Sequence, residues 1–485
     1  MYGDRIAGQI NGMAEKYRAA GEIAPPLSYN FHDPRLCGLG DKVTSDARDT
    51  PQTAPRPLPW SQPASPPPSR PLPLGNDKKG DGSAVLPWRS IQHGVDRMKP
   101  GDTLIVDDGS YAPFHVDRDD ASSDKRLVIR GASTGAIIRG YEVYDDRYTG
   151  ISVLGSYVSI ENLVVNVGAA DNSLPSRGIR VSGKAGDYIK GVRITGNRVS
   201  NAGWVGITTS YAKDVVIEGN KVWGSKGQHG IYVANSADNP RIIRNVSFFN
   251  RQAGIQVNAD PEMSGDGIIT GAVIARNNLY LNGTGGSAAL NLASVRDSLI
   301  FANLLYDNHS QGIANWDDEA GDEYGCKNNL YLNNTVVMPA GSRHTLSLRH
   351  GSTGNQVFNN ILLHRGNRDS IAVDMASFPG LESDHNILIR LEDVHGRLIS
   401  LEKWQKQSGN DLNSLVASPA ELFRDPDSHD YHLKESSPAI GRGKPVPGTE
   451  TNIDGLLPSR NRMDIGAYQY QPASDPAQET RSGTP

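Results

Sequence analysis

One short phrase recurs along this chain from about Gly150 to Ile389: an apolar stretch closing on Asn, three mostly apolar residues, a loop, and a strand of the type Gly-Ile-x-Val. Asn162, Asn197, Asn220, Asn245, Asn277, Asn303, Asn334, Asn360 and Asn386 close successive phrases about 23 to 35 residues apart, a period of stacked repeats. Helical repeats need apolar residues at i, i+3 and i+4, whereas "GIRVSG", "GIYVAN" and "GIQVNA" alternate or run briefly through Ile and Val, which favour strands. Three short strands per repeat, parted by turns and never by a helix-length segment, exclude leucine-rich and ankyrin-type arrays. They predict an all-β chain wound into a parallel β-helix, each coil rising about 4.8 Å over the last.

The asparagines have a physical reason to recur. Stacked turns leave backbone N–H and C=O groups facing the next coil, and a side-chain amide carries both donors and an acceptor. Nine amides in phase predict a ladder bonded to the turns and to itself.

Composition agrees with a solenoid. Of 485 residues 52 are Gly and only 7% aromatic, which fits many turns around a thin core. No apolar run approaches the ~20 residues of a bilayer span. A net charge of −5 with mixed signs, and no basic stripe with interleaved aromatics, gives nucleic acid no footing. The two cysteines, Cys37 and Cys326, exclude a disulfide framework. The start "MYGDRIAGQINGMAEKYRAAG" carries charges where a secretory apolar region would stand, so no signal peptide is visible.

The chain divides into a Pro-rich segment and linker (1–80), expected to be poorly ordered, an N-terminal cap and first strand (81–110), the β-helix (111–390), a C-terminal cap (391–472) and a tail expected to be disordered (473–485). "LPWRSIQHGVDRM" has helical spacing of Trp88, Ile91, Val95 and Met98 and suits a lid over unpaired end strands. At the other end, "SPAIG" and "DIGAYQYQ" are expected to cover the last coil.

"PWRSIQHGVDRMKPGDTLIVDDGSY" resembles the opening segment of right-handed parallel β-helix polysaccharide lyases and their relatives, and "SSPAIG…NIDGLLPSRNRMDIGAYQY" resembles their closing segment. With the coils, the resemblance covers about residues 75 to 470. It implies the right-handed, pectin-lyase-like fold and a carbohydrate ligand, usually an acidic polysaccharide, lying along the strand face called PB1. It also implies an extracellular or periplasmic protein, and a monomer is expected.

If each Asn sits between the second and third strands, the first strands are "GIRVS", "GITTS", "GIYVA", "GIQVN", "ALNLA", "GIANW", "TLSLR" and "SIAVD". Alternation turns Ile and Val inward. The central outward column is then Arg180, Thr208, Tyr232, Gln256, Asn291, Ala314, Ser347 and Ala372. Two residues on stand Ser182, Ser210, Ala234, Asn258, Ala293 or Ser294, Trp316, Arg349 and Asp374. Just before the strands come Arg177, Val205, His229, Ala253, Ala288, Gln311, His344 and Asp369.

This face suits a sugar. Tyr232 and Trp316 offer stacking platforms, Gln256, Asn258 and Asn291 offer paired hydrogen bonds, and Arg180 and Arg349 can hold carboxylates, with Tyr211 and His344 as further substrate-binding candidates. Glycoside hydrolysis usually requires two carboxyl groups about 5–9.5 Å apart. The best pair, Asp260 with Asp317 or Asp318, stands two coils apart, about 9.6 Å along the axis. β-Elimination on a uronate instead requires neutralisation of the carboxylate and a base for the C5 proton. Lys226, His229 and Tyr232 gather at one junction, so His229 or Tyr232 is the expected base and proton donor, with Arg180 or Arg349 as neutraliser.

"GITTSYAKDVVIEGNKVWGSKGQHGIYVAN" is similar in spacing to the catalytic coils of mannuronan C5-epimerases, His229-Gly230-Ile231 matching a His-Gly-Ile there. The Asp-Pro-His-Asp signature of those enzymes is replaced by Thr208, Thr209, Ser210 and Tyr211. Asp260, Asp317 and Asp318, on acidic loops leaving the first strands, would suit Ca²⁺. The expectation is a polysaccharide lyase. Glycoside hydrolase, C5-epimerase and a non-catalytic carbohydrate-binding or envelope-scaffold solenoid stand as alternatives.

Overall fold

The computed structural model describes residues 75–168, 174–446, 449, 451–457 and 462–472. The Pro-rich stretch up to residue 74 and the tail after residue 472 lie outside the described residues. Three sheets of 13, 11 and 10 strands run the length of a right-handed parallel β-helix, parallel except that Glu142–Tyr144 and Leu398–Ser400 join the largest antiparallel. The first strands occupy the 13-stranded sheet, the second strands the 11-stranded sheet and the third strands the 10-stranded sheet.

The register of the first sheet follows the alternation. Arg180 pairs with Thr208, Thr208 with Tyr232, Tyr232 with Gln256, Gln256 with Asn291, Asn291 with Ala314, Ala314 with Ser347 and Ser347 with Ala372. Ile179, Ile207, Ile231, Ile255, Leu290, Ile313, Leu346 and Ile371 stack beneath them in the core. Burying each such side chain contributes roughly 1.5–3 kcal/mol. A slip of one residue would exchange this column for polar groups.

The amide ladder has eight rungs, not nine. Asn197, Asn220, Asn245, Asn277, Asn303, Asn334, Asn360 and Asn386 each pass an amide hydrogen to the next at 2.9–3.1 Å. Asn162 is displaced by one position. It occupies the preceding corner site, where its φ is 52°, as do Gly196 (68°) and Gly219 (65°), and its amide bonds the Gly131 carbonyl. Asn tolerates that left-handed conformation as Gly does, so one residue type serves two adjacent sites. Asp411 ends the ladder by accepting from Asn386 Nδ2 at 3.1 Å. A second ladder, through Asn250, Asn282 and Asn308, has no counterpart in the sequence reading.

The N-terminal helix is Ile91–Val95, shorter than the spacing of its apolar residues suggested, and Ser90 caps it. At the far end the lid is the Leu401–Ser408 helix, whose buried Trp404 bonds Asp411 through Nε1 at 2.9 Å. The "SPAIG" and "DIGAYQYQ" segments do not cover that end. They lie on the flank, where Ala439, Ile465, Ala467, Tyr468 and Tyr470 pack against Leu304, Val337, Ile361 and Leu363. Those four are outward residues of the third sheet, and their apolar side chains require a cover. On the same sheet Trp223, Phe248, Tyr280 and Tyr306 form a column of stacked rings 4.9–5.8 Å apart.

Candidate functional site

The outward face of the first sheet is hollowed into a groove of about 640 Å³. It crosses five coils, from the Ile231–Ala234 strand to the Leu346–Leu348 strand, and so extends about 19 Å at ~4.8 Å per coil. His229, Gln256, Asn291, Trp316, His344 and Arg349 line it, joined by Gln228, Gln252, Gln311, Arg343, Ser347 and His350. Lys226, Tyr232, Arg180, Tyr211 and Asn258 do not.

The hydrogen bonding of His229 does not suit a base. Its Nδ1 accepts the Ala253 backbone N–H at 3.2 Å, so in the neutral ring the proton sits on Nε2. Burial pushes the imidazole down to about 3 and keeps it neutral. A ring in that state donates from Nε2 and has no lone pair to offer the groove. The surroundings of Tyr232 disfavour the phenolate that a base would require. Its hydroxyl lies 3.3–3.4 Å from the Asp260 carboxylate, and burial together with the charges of Asp260 and Asp318 raises it far above the ordinary phenol value.

The other candidates are dispersed by the same rules. Arg180 pairs with Asp145 at 2.6 Å and lies two coils before the Ile231–Ala234 strand, outside the groove lining. Lys226 is exposed on its loop. Tyr211 makes an edge contact with Tyr188, ring centres 5.8 Å apart. Gln256 and Asn291 form a bonded pair on the groove floor, Asn291 Nδ2 donating to Gln256 Oε1 at 2.7 Å.

Asn258 gathers two carboxylates. Its Nδ2 donates to Asp260 Oδ1 and to Asp318 Oδ2, each at 2.9 Å. The two oxygens are therefore at most about 5.8 Å apart, far closer than the coil spacing suggested. Burial first, and the neighbouring Asp318 next, push Asp260 up to about 6, and burial raises Asp318 as well. Asp317 does not join them. Its oxygens accept the backbone N–H groups of Glu319 and Gly321 at 3.1 and 2.9 Å, and His350 Nδ1 lies 3.2 Å away.

At the other end of the groove stands a pair in different relation. His344 Nδ1 lies 2.9 Å from Oδ2 of the wholly buried Asp369. That bond orients the ring and, with the proton on Nδ1, leaves the Nε2 lone pair unused by it in a residue that lines the groove. Arg349, on the same coil, reaches Glu392 with Nη2 and lines the groove too. His344, Asp369 and Glu392 are the three groups among the described residues close enough to share an ion, in place of Asp260, Asp317 and Asp318. Both carboxylates are already engaged, Asp369 with His344 and Glu392 with the guanidinium of Arg349, so the charge of Arg349 is shared with Glu392. His344 and Asp369 are adjacent rungs of the column that precedes the strands, and adjacency at one coil spacing was the available signal. Glu392 follows the end of the repeat and had none.

The family described as "Right handed beta helix region" matches residues 127–265. An uncharacterized protein of Bacillus subtilis, YwoF, is 22% identical over 435 residues, covering 76% of this chain and 91% of its own. A mannuronan C5-epimerase of Pseudomonas putida is 31% identical over 99 residues, 20% of this chain and 17% of its own. Among solved structures, pectate lyase Pel9A superimposes with a TM-score of 0.55 at 14% identity, covering 82% of this chain and 95% of its own. XylC in complex with xylose gives 0.51 at 10% identity, covering 82% and 97%. The chain is a right-handed parallel β-helix protein of the pectin-lyase-like fold. No helix among the described residues is long and apolar enough to cross a membrane.

Proposed function

We propose that this protein is a carbohydrate-active enzyme that cleaves a uronic-acid-containing polysaccharide by β-elimination in the groove of the first sheet. The observation that carries it is the His344–Asp369 pair opening onto the groove beside Arg349. Arg349, which holds Glu392 through Nη2, offers its remaining N–H groups to the uronate carboxylate, neutralises it and so acidifies C5. His344 Nε2 takes the C5 proton, the C4–O bond breaks, C4=C5 forms, and the proton passes from the imidazolium to the departing glycosidic oxygen. Asp369 stabilises the imidazolium between these steps. Trp316 and the Gln256–Asn291 pair hold neighbouring sugar rings. The partial match to a mannuronan C5-epimerase is consistent with this chemistry, since epimerisation also starts with loss of the C5 proton.

A second reading rests on Asn258. Two carboxylates with raised proton affinity, at most about 5.8 Å apart, approach the spacing of a retaining glycoside hydrolase. Incubation with uronate polymers separates the two. Elimination gives an unsaturated product that absorbs in the ultraviolet, lost in His344→Ala. New reducing ends without that absorbance, lost in Asp260→Asn and retained in His344→Ala, would transfer the activity to the carboxylate pair.

A further inference from the structure

The two arginines that line the groove both belong to the coil of the Leu346–Leu348 strand. Arg343 and Arg349 flank the Leu346–Leu348 strand; Arg349 shares its charge with Glu392, and the Arg343 guanidinium reaches back to two neutral acceptors, the Gly286 carbonyl and Ser310 Oγ, at 2.9 Å, as far as the coil of the Ala288–Ala293 strand. The coils of Ile231–Ala234 and Ile255–Asn258 contribute only neutral groups to the lining: Gln228, Gln252, Gln256 and His229. His229 is held neutral by burial and by the N–H it accepts. Lys226 and Arg251 stand on these coils, yet both are exposed and neither lines the groove. Beyond Gln256 the strand ends at Asn258, which holds the carboxylates of Asp260 and Asp318.

A polymer of uronates alone carries a carboxylate on every unit, so a chain filling the groove would have to seat uronates over the neutral coils. Over Gln256 such a carboxylate would meet amides but no cation, with two acidic side chains at the adjoining edge, and it would lose hydration without a charged partner. Hydroxyls of an uncharged sugar, by contrast, match amides that both donate and accept. We infer that the groove selects a heteropolysaccharide, in which the uronate seated at His344 and Arg349 is joined, on the side of the Ile231–Ala234 coil, to uncharged sugar units. The inference rests on the assignment of His344 and Arg349 above. The neutral stretch spans two coils, about 10 Å.

The test is binding of two oligosaccharides of equal length to the full chain carrying His344→Ala, one made only of uronates and one in which uronate alternates with a neutral sugar. Calorimetry should give a Kd at least about tenfold lower for the mixed ligand. Equal or tighter binding of the homouronate overturns the inference. Gln256→Arg should narrow the gap by raising homouronate affinity, and an unchanged ratio in the folded variant counts against it equally. The wild-type chain gives the same comparison through kcat/KM on the two polymers. Mixed-ligand preference without unsaturated product from either polymer removes elimination and leaves the substrate class. Unsaturated product formed faster from the homopolymer does the reverse.

Discussion

Asp369→Asn tests the proposed chemistry most directly. The Asp369 carboxylate is wholly buried, 2.9 Å from His344 Nδ1, and faces an imidazole that must become a cation when it takes the C5 proton. With charge centres about 4 Å apart and an effective dielectric constant of about 20, that attraction is about 4 kcal/mol. Asparagine keeps the shape and removes the charge, so kcat should fall about 10³-fold. If the new amide turns its NH₂ toward Nδ1, the ring proton moves to Nε2 and the Nε2 lone pair is lost as well. Both effects act in the same direction. KM should change little, because Asp369 does not line the groove. Initial rates of unsaturated product against substrate concentration, with circular dichroism to establish folding, measure the effect. A folded Asp369→Asn chain with kcat within about tenfold of wild type would refute the role of the pair.

Arg349→Ala should weaken binding of a uronate oligosaccharide by about 2–5 kcal/mol, as for a lost charged partner, with Arg349→Lys restoring part; calorimetry on both variants checks this. Asn277→Ala removes amide bonds to Ile242 O, Asn303 Oδ1 and Asn245 N in the buried ladder. At roughly 1–3 kcal/mol for each orphaned buried group, it should destabilise the chain by about 3 kcal/mol or more, seen as a lower urea midpoint. Asp260 has its folded proton affinity raised to about 6, above the ordinary carboxylate value, so the folded chain binds more protons than the unfolded one between about pH 4 and 6. Wild-type stability should therefore fall as pH rises through that window. Asp260→Asn should remove the fall and be roughly 1–2 kcal/mol more stable above pH 6, allowing for solvent screening, which urea titrations at pH 4 and pH 7 measure.

The coil register was legible because strand side chains alternate strictly, and a buried Ile179–Ile371 column tolerates no slip. From Arg180 to Ala372 the outward column was therefore readable rung by rung. Asn162 was misplaced by a single residue because the ladder site and the left-handed corner beside it both admit Asn. The closing segments were assigned to the wrong surface, since the apolar outward residues Leu304 and Val337 that attract them read as ordinary strand residues.

The site divides in the same way. Sequence alone determined which residues share a face and which are one coil apart, because both follow from periodicities of two residues and one repeat. His344 and Asp369 were neighbours on that basis, and Gln256 and Asn291 too. Only the tertiary structure decided what each side chain does there. Whether an imidazole presents a lone pair or an N–H depends on the partner of its other nitrogen, a backbone N–H at His229 and a buried carboxylate at His344. Asp260 and Asp318 approach because one amide between the loops can bond both. Such contacts depend on loop paths and rotamers that no repeat encodes.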